Sequence, residues 1–121
     1  MLINLSNHSL SSWGKKQTEE AVRQFGSITD IPFPSVDSET GQEEIAKLAK
    51  EYLEECLSLL SRHREESNAV HLMGELTFTH NLVKLLKRKG VKCVASTSER
   101  VTEVNGNKKV SEFNFVRFRE Y

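Results

Sequence analysis

The chain has 121 residues, of which 37% are apolar, enough to bury one core and too few for two independent ones. Its 17 Lys and Arg are matched by 17 Asp and Glu, for a formal net charge of zero. That balance excludes a global field able to hold a long nucleic acid through its phosphates, and leaves open a small anion in a local pocket. The start Met1-Leu2-Ile3-Asn4-Leu5 has no basic n-region and breaks into Ser6-Asn7-His8, so no secretion signal or membrane span is expected, and a cytoplasmic protein is.

In chain order, residues 2–5 are a short apolar run suited to an interior parallel strand. Ser6-Asn7-His8-Ser9 ends it with polar side chains. Residues 14–25 place Ala21, Val22 and Phe25 at helical spacing, with Ser11 or Ser12 as the expected N-cap and Gly26 as the stop. Residues 28–31 predict an edge strand closed by Pro32 and Pro34. Over residues 38–63, Ile45, Leu48, Ala49, Tyr52, Leu53, Cys56, Leu59 and Leu60 recur at three- and four-residue steps and predict a long amphipathic helix. A polar break at residues 62–68 precedes a second buried strand, residues 69–73.

Residues 70–83 then pass from strand through Gly74 into a helix that ends at Lys87-Arg88-Lys89-Gly90, where cations meet the negative end of the helix dipole. Residues 91–95 give the next strand, and Ser96-Thr97-Ser98-Glu99-Arg100 is expected as a polar loop beyond its carboxyl end. A hairpin follows, turning at Asn105-Gly106-Asn107. In its second strand Phe113 and Phe115 share one parity and Val116 and Phe118 the other, so that strand is either buried on both faces or bulged. Cys56 and Cys93 have neither a disulfide nor a metal spacing and are expected as buried small hydrophobes in a reducing compartment.

Strands alternating with helices predict a three-layer Rossmann-like α/β domain over residues 1–121, with a central, mostly parallel sheet and a C-terminal antiparallel hairpin. The expected order places residues 28–31 at one edge, then 2–5, 69–73, 91–95 and the hairpin. The order reverses between the first and third strands, and the crevice there is the expected ligand site. Three polar stretches should meet at it: Ser6, Asn7, His8 and Ser9; Gly74, Glu75 and Thr77; Thr97 and Arg100. A free helix N-terminus after Gly74 and a guanidinium at Arg100 suit a phosphate, while Asn7 and Thr77 suit ribose or base edges. Glu75 would repel an anion unless it turned away or paired with Arg100; alternatively it serves only to stabilise the helix dipole.

His8 is the candidate general base, imidazole being suited to proton transfer near neutrality. His71, mid-strand, is expected as a hydrogen-bonded interior residue. His8, His71, His80 and Glu75 match no ligand spacing, so no metal is expected. The Gly74 turn is neither GxGxxG nor a P-loop, and no cofactor is expected.

Leu2-Ile3-Asn4-Leu5-Ser6-Asn7-His8, together with Val70-His71-Leu72-Met73-Gly74-Glu75 leading into Leu82-Val83 and Gly90, resembles small Rossmann-like CRISPR-associated proteins, single-domain relatives of the CARF sensors that include the ring nucleases. The resemblance covers about residues 2–97. It implies a homodimer binding a cyclic oligoadenylate across two crevices, lined by Ser6, Asn7, His8, Gly74, Glu75, Thr77 and Thr97, with Arg100 or a lysine at phosphate. It further implies cleavage without metal, through attack of a ribose 2′-hydroxyl on the adjacent phosphate. Two other functions fit the same sequence: an adaptor pairing with another chain through its terminal hairpin, and an enzyme acting on an ordinary nucleotide or phosphorylated metabolite.

Overall fold

A computed structural model describes residues 1–63 and 67–121; Arg64, Glu65 and Glu66 of the expected polar break lie outside the described residues. In chain order the elements are β1 (Leu2–Ser6), a 3-10 turn (Leu10–Ser12), α1 (Lys15–Phe25), β2 (Ile28–Asp30), α2 (Gln42–Ser61), β3 (Ala69–Met73), α3 (Leu76–Arg88), β4 (Lys92–Asn105) and β5 (Lys108–Glu120). The strands form a five-stranded sheet in the order β2-β1-β3-β4-β5. β2, β1, β3 and β4 run parallel and β5 returns antiparallel to β4. This is the expected order, with the expected reversal between β1 and β3.

Successive side chains on a strand point to opposite faces, and the two faces are covered by different helices. Ile3, Leu5, Val70, Leu72 and Cys93 join Ala49, Leu53, Cys56, Leu60, Phe78, Leu82 and Leu86 of α2 and α3 in the larger core. Leu2, Ala69, Val94 and Phe118 meet Ala21 and Phe25 of α1 in a smaller one. Three layers result. Each large apolar side chain buried there contributes about 1.5–3 kcal/mol, so the α2–α3 face supplies most of the hydrophobic stabilisation.

Several boundaries differ from expectation, each for a local reason. α1 takes Gly14 as its N-cap; Ser11 and Ser12 lie in the preceding 3-10 turn, where Ser12 donates from both N and Oγ to the Ser9 carbonyl, at 2.9 and 2.7 Å. α2 begins at Gln42 because Asp37 closes a turn first, its carbonyl accepting from Thr40 N at 3.1 Å and its carboxylate from Glu39 N at 2.9 Å.

The largest correction concerns Ser96-Thr97-Ser98-Glu99-Arg100, expected as a loop and found inside the 14-residue strand β4. β5 pairs with it from Val94↔Glu120 to Asn105↔Lys108 and supplies the backbone partners that a polar stretch lacks when read alone. Residues 98–114 are exposed and stand out as a two-stranded arm turned at Gly106, whose φ of 62° a glycine adopts without strain. A register shift between Thr97 and Ser98 leaves Val116 without a partner on β4. Of the two alternatives for the last strand the bulge is realised, and it turns Phe115 toward Phe118, with ring centroids 4.9 Å apart.

Candidate ligand cleft

β3 and β4 are paired only from Ala69↔Lys92 to His71↔Val94. Beyond that point β4 leaves β3: Ser96 N lies 3.2 Å from Met73 Sδ, and the Leu72 carbonyl accepts the Tyr121 hydroxyl at 2.6 Å. A cleft of about 510 Å³ opens where the strands part, on the α1 side of the sheet. Ser6 and His8 come from β1 and the loop after it, and Ser12, Trp13 and Gln17 from the turn and first helical turn of α1. His71 and Met73 come from β3, Ser96, Thr97 and Ser98 from β4, and Phe113 and Phe115 from β5. Among the described residues this lining holds hydroxyls, imidazoles, an amide and aromatic rings, and no Lys, Arg, Asp or Glu.

Beneath the cleft runs a directed chain of hydrogen bonds. The parallel register sets Asn4 beside His71 on the α1 face. Asn4 Nδ2 donates to Asp30 Oδ1 at 2.8 Å and to the His8 carbonyl at 2.9 Å. Both partners are pure acceptors, which fixes the amide orientation and turns Oδ1 toward His71. Asn4 Oδ1 lies 2.9 Å from His71 Nδ1 and 2.8 Å from the donating Ser6 hydroxyl. An amide oxygen cannot donate, so His71 carries its proton on Nδ1. Its bare Nε2 then accepts the Ser96 hydroxyl at 2.7 Å, while Gln17 Nε2 donates to Ser96 Oγ at 3.0 Å.

The surroundings keep this arrangement neutral. His71 is 2% exposed and packs edge-on to Trp13 and Phe118, at 5.2 and 5.7 Å between centroids. Burial, and secondarily the His8 ring, pushes its pKa down to about 4. Asp30 anchors the entry loop as well, accepting from Leu10 N at 3.1 Å. The His8 carbonyl also takes the Trp13 indole N–H at 3.2 Å, so the backbone of His8 is fixed while its ring is exposed at the cleft mouth.

Of the residues nominated by sequence, the structure brings Ser6, His8 and Thr97 together at the cleft. Asn7 is exposed outside the lining, its N–H tied to the Met73 carbonyl at 3.1 Å, and Ser9 Oγ lies 2.9 Å from Ser11 Oγ. Gly74 is covered by Phe33: a Cβ there would lie 2.2 Å from the ring, which explains the glycine. The α3 N-terminus is already occupied. Glu75 caps it with its own carboxylate, accepting from Thr77 N at 3.0 Å and Phe78 N at 2.8 Å, and the Thr77 hydroxyl donates to it at 2.6 Å. These bonds hold the Glu75 carboxyl below its ordinary pKa. Arg100 stands on the arm, its guanidinium 6.0 Å from the Phe113 ring centroid and donating to Ser111 Oγ at 3.2 Å.

Sequence reasoning passed over Ser12, Trp13, Gln17, Met73, Ser96, Phe113 and Phe115 as site residues, and read His71 as interior without finding its partners. One available signal was the polar residue set into a buried strand: Asn4, Ser6 and His71 each interrupt an apolar run. Cys56 and Cys93 are buried free thiols raised by burial to about 12 and 11, which makes them inert packing groups. Among the described residues no group of three or more His, Cys, Asp or Glu is placed to hold a metal, and no helix is long and apolar enough to cross a membrane.

The fold and cleft define a three-layer α/β protein with a polar chain buried beneath a strand-end pocket. The chain matches the family described as Uncharacterized protein MJ1673 family over residues 1–119, and it belongs to that family. Comparison with curated proteins and with solved structures gives no match.

Proposed function

We propose that the cleft binds a small nucleotide, and that its ligand is a cyclic oligoadenylate held between two copies of the chain in a CRISPR-associated, antiviral role. One observation carries the nucleotide reading. Trp13, Phe113 and Phe115 line an uncharged cleft beside the hydroxyls of Ser6, Ser12, Ser96 and Ser98, and the same face of the arm continues outward to Arg100. Aromatic rings suit bases, which gain about 1–3 kcal/mol each by stacking; hydroxyls suit ribose; and the guanidinium on the arm suits phosphate. The cyclic oligoadenylate and the two-fold assembly rest on the resemblance of the strand-end motifs.

Phosphate recognition in this reading falls to the arm, because Glu75 fills the α3 N-terminus. Ring opening without metal requires a ribose hydroxyl aligned with its neighbouring phosphate, which a shaped cleft provides by orientation. Calorimetry with mononucleotides and cyclic oligoadenylates, alongside sedimentation, tests the reading. Micromolar or tighter binding of a cyclic oligoadenylate by a dimer is expected, weakened at least about tenfold by Phe115→Ala. Folded dimer that binds none of them overturns it, and preference for a mononucleotide favours an enzyme of ordinary nucleotides.

The adaptor reading is favoured by exposed Val101, Val104, Val110 and Phe113 on the arm. Removing residues 110–121 would strip buried Phe118 from the core, so the arm is better shortened by deleting residues 101–112 and closing the strands with Asn-Gly. Loss of a protein partner with nucleotide binding intact supports the adaptor.

A further inference from the structure

We propose that Ser96 is the group that takes the proton from an attacking ribose 2′-hydroxyl, with His71 behind it as the proton sink and Asn4 and Asp30 as positioning residues. The inference rests on the nucleotide reading above and adds a residue-level assignment, moving the base from His8 to the buried imidazole. It follows from the polarity of the hydrogen-bond chain. Asp30 and the His8 carbonyl consume both Asn4 amide protons, Asn4 Oδ1 takes the His71 Nδ1 proton, and His71 Nε2 takes the Ser96 proton. Ser96 Oγ lines the cleft with its own proton committed inward, so it offers a lone pair to an incoming hydroxyl.

A hydroxyl so placed transfers its proton to Ser96 while Ser96 passes its own to His71 Nε2. The 2′-oxygen bonds to the adjacent phosphorus, the bond from phosphorus to the 5′-oxygen breaks, and the departing oxygen takes a proton from water. The products are a 2′,3′-cyclic phosphate and a 5′-hydroxyl, and His71 returns its proton through Ser96 to solvent. Gln17, donating to Ser96 Oγ at 3.0 Å, stabilises the charge that gathers on that oxygen. The substrate class is thereby narrowed to ribonucleotides, since a 2′-deoxy analogue has no proton to give. Of the groups facing His71, His8 and, behind Asn4, Asp30 are ionisable; Trp13, Gln17, Ser96 and Phe118 are not.

Two measurements test this. Nitrogen-15 NMR of the unliganded protein should find His71 protonated at Nδ1 and bare at Nε2 near neutral pH; the opposite tautomer reverses the chain and overturns the assignment. Cyclic tetra-adenylate and its 2′-deoxy analogue should both bind, and only the former should be opened, at a rate level above about pH 5 and falling below it. Ser96→Ala and His71→Gln, shown folded by near-ultraviolet circular dichroism, should cleave at least about a hundredfold more slowly at saturating nucleotide, where any loss of binding is made good. Ser96→Thr, which keeps the hydroxyl, should restore cleavage. Binding without cleavage by wild type, undiminished cleavage by Ser96→Ala, or cleavage of the deoxy analogue overturns the relay and leaves the nucleotide reading standing. Failure to bind either probe removes that reading and the relay's substrate together.

Discussion

The two faces of the sheet are built from the same strands and behave differently. Toward α2 and α3, Ile3, Leu5, Val70, Leu72 and Cys93 present an unbroken apolar surface. Toward α1, the alternate residues of those strands present Asn4, Ser6, His71 and Ser96 among a few apolar groups. A buried polar side chain costs stability unless its partners are all supplied, and on the α1 face they are supplied one after another from Asp30 to Gln17. The division of labour is therefore physical: one face holds the chain together, and the other uses that stability to keep a hydrogen-bonded line in place below an open cleft.

Damage to one face should leave the other intact. Phe78 is fully buried and packs edge-on to Phe33 and Tyr52, at 5.2 and 5.3 Å. Phe78→Ala should cost about 3–5 kcal/mol in denaturant unfolding and leave the His71 tautomer unchanged by NMR. A changed tautomer would mean that the faces are not independent.

The reverse experiment uses pH. The fold favours neutral His71, whose pKa is pushed from 6.5 to about 4. As pH falls from about 6.5 toward 4 the unfolded chain takes up a proton that the folded chain refuses, so stability drops, by about 3 kcal/mol once both states are protonated. Glu20 and Glu75, both held low by their hydrogen bonds, add their own loss at the acid end. Wild type compared with His71→Gln, unfolded in urea at each pH, isolates the imidazole. Parallel curves would refute its burial as a neutral ring.

The smallest effect sharpens the picture of the apolar face. Thr79 Oγ1, on the helix α3 that covers this face, is buried with no hydrogen-bond partner among the described residues. Thr79→Val should be neutral or raise stability by up to about 1 kcal/mol, read as a shift in melting temperature. A loss would reveal a partner for the hydroxyl.

The strand order was legible because apolar runs in an alternating α/β chain admit few right-handed arrangements, and residues 2–5, 28–31 and 69–73 carry clear signals. The hairpin from residue 101 was legible from its turn, but residues 96–100 were not legible as strand, since a polar stretch leading into an exposed arm has no buried face to impose alternation. The crevice was located from topology, yet its chemistry depended on register. Asn4 and His71 are 67 positions apart in the chain and become neighbours only when β1 and β3 pair. At Gly74 the sequence left two outcomes, an anion at the helix end or Glu75 stabilising that end itself, and the second is realised: Glu75 folds back on its own helix.

Asp30 is the exposed end of the line, and as a carboxylate it can only accept. That gives the line a reading direction, written at the surface and delivered to Ser96 without contact between the two. The His8 carbonyl, which likewise can only accept, holds the other Asn4 amide proton, so the same direction is written twice. A surface carboxylate and a loop carbonyl together thus work as punctuation for a serine on the far side of the site.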